Sequence, residues 1–177
     1  MSRVAIRYSK ALFELAVEKK LVESIQQDLA MIDTLCSENP DFDALLTNPL
    51  IDEAAKAKIL SEMFDKNVNE LTNRFLQLLS KKRRIGFLRE IIEHYNHRLL
   101  DYQGVLPAVL LSADELSREQ VAQIKERMEM ITGKTLQLVE KQDPQILGGF
   151  IIRMRDTIVD LSIRTQLDKL RTQLIHG

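Results

Sequence analysis

Tyr102-Gln103-Gly104-Val105-Leu106-Pro107-Ala108-Val109-Leu110-Leu111 is where the chain changes character. Upstream, apolar residues recur at helical spacing and glycine is nearly absent, Gly86 being the one glycine before Gly104. Val22, Ile25, Leu29, Ile32 and Cys36 form one 3-4-3-4 stripe, the spacing that lines one face of a helix. Val68, Leu71, Phe75 and Leu78 repeat it, as do Ile85, Leu88, Ile92, Tyr95 and Leu99, and the opening segment puts Val4, Tyr8, Ala11, Leu12 and Leu15 on one face. Asn39-Pro40 and Asn48-Pro49 break the series. Asn39 reads as a helix cap with Pro40 at the first helical position, Asn48-Pro49 as a turn, and Asp52 as the next cap, ahead of Ile59, Leu60, Met63 and Phe64.

Downstream, Val105 to Leu111 is short and β-prone, and Pro107 predicts an edge strand, because proline cannot donate to a ladder. Ser117-Arg118-Glu119-Gln120 has the form of a capping box. Val121, Ile124, Met128 and Ile131 give the helix behind it, and Gly133 its stop. Thr135 to Glu140 alternates as a strand. Gly149 to Met154 and Thr157 to Leu161 read as a hairpin turning at Arg155-Asp156, and a last helix carries Ile163, Leu167, Leu170 and Leu174. The fold class is therefore mainly α: an N-terminal six-helix bundle over residues 1–104, followed by a small α/β domain over 105–177.

Composition narrows the function. The 177 residues carry a formal net charge of −1, with 15 basic and 16 acidic residues before Gly104 and 10 of each after it. Nucleic-acid binders usually show a basic excess, so none is expected as a partner. Cys36 is the single cysteine; it reads as a small buried hydrophobe in a reducing compartment. No apolar run approaches the ~20 residues a membrane span needs. The start, Met1-Ser2-Arg3, lacks a signal-peptide pattern, so membrane association is expected only indirectly, through partners.

No group of residues builds a catalytic, cofactor or metal site. His94 and His97 are three apart on a helix but lack further ligands nearby, and read as solvated or partly packed. Lys81-Lys82-Arg83-Arg84 reads as a solvated connection after a helix end, where cations suit the dipole. Asp156 and Asp160 have no base or nucleophile arranged around them, and Ser162 reads as the cap of the last helix. Gly148-Gly149 lacks phosphate-loop spacing and precedes a strand.

Two segments carry a family resemblance. Arg7-Tyr8-Ser9-Lys10-Ala11-Leu12-Phe13-Glu14-Leu15-Ala16 resembles the opening helix of the delta subunit of F-type ATP synthases, the family of the mitochondrial oligomycin-sensitivity-conferring protein. Asp143-Pro144-Gln145-Ile146-Leu147-Gly148-Gly149-Phe150, continuing through Arg153, Asp156, Asp160, Ser162 and Leu167 to Leu170, is similar to its C-terminal signature. Ser9 stands where alanine is usual, and Leu161 where glycine is common; a positive φ there would strain Leu161.

The resemblance implies a non-catalytic stator subunit without cofactors. It would link the catalytic head to the b-subunit stalk and resist rotary torque during proton-driven ATP synthesis. It implies a peripheral place on the cytoplasmic face of a bacterial membrane. It also implies a groove for N-terminal helices of the head's alpha subunits, between the first helix (Tyr8, Ala11, Leu12, Leu15) and the fifth (Phe75, Leu78, Leu79). The C-terminal part would engage the b subunits, with Gly148, Gly149, Asp160 and Ser162 as a structural signature and Arg164, Lys169 and Arg171 as stalk contacts. Two other readings stand beside it. One is a helical scaffold or adaptor unrelated to ATP synthase. The other is a small hydrolase using Asp156, Asp160 and Ser162.

Overall fold

The computed structural model describes residues 2–48, 50–65, 67–155 and 157–176. The chain is mainly helical, with a four-stranded sheet in its C-terminal part. It divides into two compact units, Met1–Leu99 and Leu100–Gly177. Pro49 and Asp156, read above as parts of turns, lie outside the described residues.

In the first unit, α1 (Arg3–Glu18), α2 (Val22–Glu38), α3 (Pro40–Thr47), α4 (Glu53–Phe64) and α5 (Glu70–Lys81) are followed by a 3-10 turn at Ile85–Phe87 and by α6 (Leu88–Tyr102). The division between units falls inside α6, ahead of Gly104. Every helix sends an apolar residue into one core: Leu12, Ile25, Leu46, Leu60, Leu79 and Ile91 are among its members. On α2 and α6 the buried residues are those of the sequence stripes, with Asp28 and Ile91 added and Val22 only half-buried. Tyr95 is also enclosed, and its hydroxyl donates to the Val22 carbonyl at 3.2 Å, tying α6 to α2.

On α5 the core face differs from the stripe. Thr72, Phe75, Leu76, Leu79 and Ser80 are buried, whereas Leu71 is half-buried and Leu78 exposed. The polar members are satisfied: the Thr72 hydroxyl donates to Asp28 Oδ2 at 2.5 Å and Ser80 Oγ to the Leu76 carbonyl at 3.1 Å. A hydrogen-bonded hydroxyl costs little to bury, so the helix turns that side inward and leaves the Leu71-Phe75-Leu78 flank beside it. Two expected caps also differ. The Asn39 side chain donates back to the Leu35 carbonyl at 3.2 Å instead of capping α3, and Asp52 holds the cap position of α4 without a side-chain bond to it.

The second unit runs β1 (Val105–Ser112), α7 (Arg118–Thr132), β2 (Thr135–Gln142), β3 (Phe150–Met154), β4 (Thr157–Asp160) and α8 (Ile163–His176). The Ser117–Gln120 capping box forms reciprocally, at 2.8 and 3.2 Å. The sheet order is β2-β1-β3-β4, so β1 is an interior strand and not the edge that Pro107 predicts. The register explains the exception. β2 pairs with β1 from Val105 to Ser112, but β3 joins only from Val109 to Ser112. Pro107 sits where β1 has one neighbour, so its missing N–H interrupts no ladder on the open side. Ala108, Leu110, Met128, Leu136, Ile152 and Met154 form this unit's core.

Candidate partner-binding surfaces

The first surface is built on α1 and α5. Small residues dominate the buried face of α1: Ala5, Ser9 and Ala16 surround Leu12. Ser9 is fully enclosed, and its hydroxyl donates to the Ile6 carbonyl at 3.0 Å, so the serine is tolerated where alanine would serve. Rotated to one side of that face are Val4, Tyr8, Ala11 and Leu15, at i, i+4, i+7 and i+11. Val4 and Tyr8 are half-buried, Ala11 is exposed, and Leu15 is 41% exposed.

The matching flank of α5 is Leu71, Phe75 and Leu78, with Leu78 43% exposed. The flanks meet edge-to-face at Tyr8 and Phe75, whose ring centroids are 6.4 Å apart. That geometry suits the ring quadrupoles. The Arg7 guanidinium lies 5.4 Å from the centre of the Tyr8 ring. Leu12 and Leu79 are sealed in the core and can offer a partner only a floor. Of the seven residues read from the sequence, Tyr8, Ala11, Leu15 and Leu78 keep surface, Phe75 keeps little, and Leu12 and Leu79 keep essentially none.

The second surface is α8 and the device that mounts it. Gly149 has a φ of +77°, and a side chain there would run into the Leu161 carbonyl and lie 3.0 Å from Ser162 Cα. A side chain at Gly148 would come within 2.6 Å of Ile163 Cδ1, and the Gly148 carbonyl accepts the Ile163 N–H at 2.9 Å. The two glycines thus let the loop before β3 press directly against the start of α8.

Asp160 and Ser162 complete the mount. Asp160 accepts the Ser162 N–H and the Thr165 hydroxyl, each at 2.9 Å, and Ser162 Oγ accepts the Thr165 N–H at 3.3 Å. Hydrogen bonds from Ser162, then Thr165, hold the Asp160 carboxyl below its ordinary range, as donors favour the charged form. Leu161 is not among the described non-glycine residues with positive φ, which are Lys20, Arg83 and Arg155, so no strain arises from the missing glycine.

On α8 the exposed face is not only the charged one. Arg164, Lys169 and Arg171 are exposed, but so are Ile163, Leu167, Leu170 and Leu174, the stripe that helical periodicity assigns to a core. Periodicity shows that a stripe exists and not what covers it.

A cavity of about 650 Å³ is lined by residues including Leu50, Lys56, Gly86 and Phe87. There the enclosed Lys56 ammonium donates to the Leu46 carbonyl at 3.1 Å and pairs with Glu53 at 3.5 Å, while the second Glu53 oxygen is buried without a hydrogen bond. Among the described residues no three His, Cys, Asp or Glu side chains gather as a metal site. Asp160 and Ser162, read above as possible hydrolase groups, are occupied in holding α8.

Residues 4–174 match the family model described as ATP synthase delta (OSCP) subunit. The chain is similar to the ATP synthase subunit delta of Carboxydothermus hydrogenoformans, at 36% identity over 97% of this chain and 96% of that one. It is similar to that of Lactobacillus johnsonii at 37% identity over 98% and 96%. In fold it is similar to a chain of the Toxoplasma gondii mitochondrial ATP synthase hexamer, with a TM-score of 0.68, 18% identity and 99% of both chains covered. A chain of the Polytomella F-ATP synthase matches with a TM-score of 0.53 at 18% identity, over 58% of this chain and 90% of that one.

Proposed function

The chain belongs to the ATP synthase delta (OSCP) subunit family and serves as a stator subunit; we propose that it holds the catalytic head to the peripheral stalk through two separate surfaces. The helices of the first unit act as a six-helix bundle whose α1/α5 flank receives amphipathic N-terminal helices of the head's alpha subunits. The second unit engages the b subunits of the stalk. Neither surface performs chemistry; the subunit works by resisting the torque that the turning shaft applies to the head. Its place is peripheral, on the cytoplasmic face of the membrane and reached through the complex. Among the described residues no helix is long and apolar enough to cross a membrane.

One observation carries the head-binding reading: Leu15 on α1 and Leu78 on α5 stay exposed on either side of the Tyr8–Phe75 contact, where Tyr8 is half-buried and Phe75 belongs to the core. Helix-in-groove recognition needs walls that the host has not used, matched to an i, i+3, i+4, i+7 stripe on the guest. Tyr8 and Leu78 supply walls, and Ala11 lets a guest backbone approach closely. Titrating a labelled alpha-subunit N-terminal peptide tests the reading. Tyr8→Asp and Leu78→Asp are each expected to weaken binding about tenfold or more, with the far-UV spectrum intact. Unchanged affinity in both variants would remove the groove.

A further inference from the structure

The stripe on α8 has a definite grammar. Ile163, Leu167, Leu170 and Leu174 follow one another at spacings of four, three and four, and they are 48, 59, 55 and 86% exposed. From Gln166 to Leu174 every residue is exposed. Alternating steps of four and three mark the seam of a left-handed coil of two helices. With Ile163 and Leu170 at d and Leu167 and Leu174 at a, both e positions are arginine, Arg164 and Arg171, and both g positions are glutamine, Gln166 and Gln173. One border of the seam therefore carries two cations a heptad apart and the other two neutral amides. Asp168 and Lys169 fall at b and c, away from the seam.

We propose that α8 pairs with a partner helix that has its own 3-4 apolar seam and carboxylates along the border facing Arg164 and Arg171. This inference rests on the stalk-binding reading of the second unit and specifies the chemistry of that contact. Charge selects the occupant. A second copy of α8 gains no ion pair in either orientation, because antiparallel pairing sets arginine against arginine and parallel pairing sets arginine against glutamine. An acidic-bordered helix satisfies both arginines at once.

The test uses the full chain and two synthetic peptides about three heptads long. They share an Ile/Leu seam and differ in carrying Glu or Lys at every e and g. At low salt the Glu peptide is expected to bind about tenfold more tightly than the Lys peptide. R164E/R171E is expected to reverse that preference, and Leu167→Asp to abolish both interactions with the thermal midpoint unchanged. Equal affinities, a preference that survives R164E/R171E, or self-association lost with Leu167→Asp would overturn the inference. The soluble part of the b subunit separates the two readings. If it binds wild type and Leu167→Asp equally, the seam inference falls and the stalk reading stands. If it fails to bind wild type while the Glu peptide binds as expected, the stalk reading falls and the seam stands.

Discussion

Helices α1 and α8 have similar lengths and comparable apolar stripes, yet they use them differently. On α1 the stripe is wider than its own core needs: Leu12 is sealed while Tyr8 and Leu15 remain on the rim. On α8 the stripe is narrow and exposed at every position, least at Ile163 and most at Leu174. The first surface is therefore held in place by the unit beneath it, whereas the second is fixed only at its start, by Gly148, Gly149, Asp160 and Ser162. A preformed surface loses little freedom when a guest arrives, and a cantilevered helix loses more. On the proposed reading, the subunit joins a preformed head-binding surface to a stalk contact that its partner completes.

Substitutions at matched apolar positions should break or sharpen that contrast. Leu12→Asp is expected to destabilise the helical unit by roughly 4 kcal/mol or more, since it buries a carboxylate without a partner; urea denaturation measures it. Leu167→Asp, by contrast, should change stability by less than about 0.5 kcal/mol, as other exposed substitutions do. A large loss there would mean that α8 is packed after all. Between these limits lies Gly149→Ala, which combines a positive φ with a clash at Leu161 and should cost about 2 kcal/mol. Its signature is selective: amide exchange should quicken around α8 and stay slow in α2 and α6.

The remaining effects come from pH, and the two units should respond at opposite ends of the scale. Burial raises the Cys36 thiol from 9.0 to about 11, and burial raises Tyr95 from 10.0 to about 12. Their contribution to stability is complete below the ordinary values and is lost as pH rises through the raised ones. The helical unit should therefore loosen above about pH 9, seen by alkaline titration of its melting. Asp160 is shifted the other way, so its contribution is present above the ordinary carboxylate value and is lost as pH falls through the lowered one. Chemical shifts of Ser162 and Thr165 that titrate only above the ordinary carboxylate value would contradict this.

The change of pattern near Gly104, the stripes of α2 and α6, the capping box of α7 and the succession of strands and helices along the second half were legible in the sequence, because each rests on local spacing. Three features were not. The core face of α5 includes Thr72, Asn73 and Ser80, and only the Asp28 carboxylate, far away in sequence, makes Thr72 easy to bury. Pro107 correctly signals a missing donor, but the short reach of β3, not the sheet edge, accommodates it. In the proposed groove, a rotation of about 100° per residue separates Leu12 from Ala11 and Leu79 from Leu78. Periodicity places all four near one face, and packing alone decides which are floor and which are rim.

The bare seam of α8 has a consequence for supply. A helix of 14 residues held only through its first turn is close to the length at which helices are marginal in water. With the proposed pairing, its folded fraction follows mass action and depends on how much partner is present. The C-terminus of this subunit would report assembly by its own resistance to proteolysis: readily cut when subunits are made in excess, and protected once each copy has found its complement.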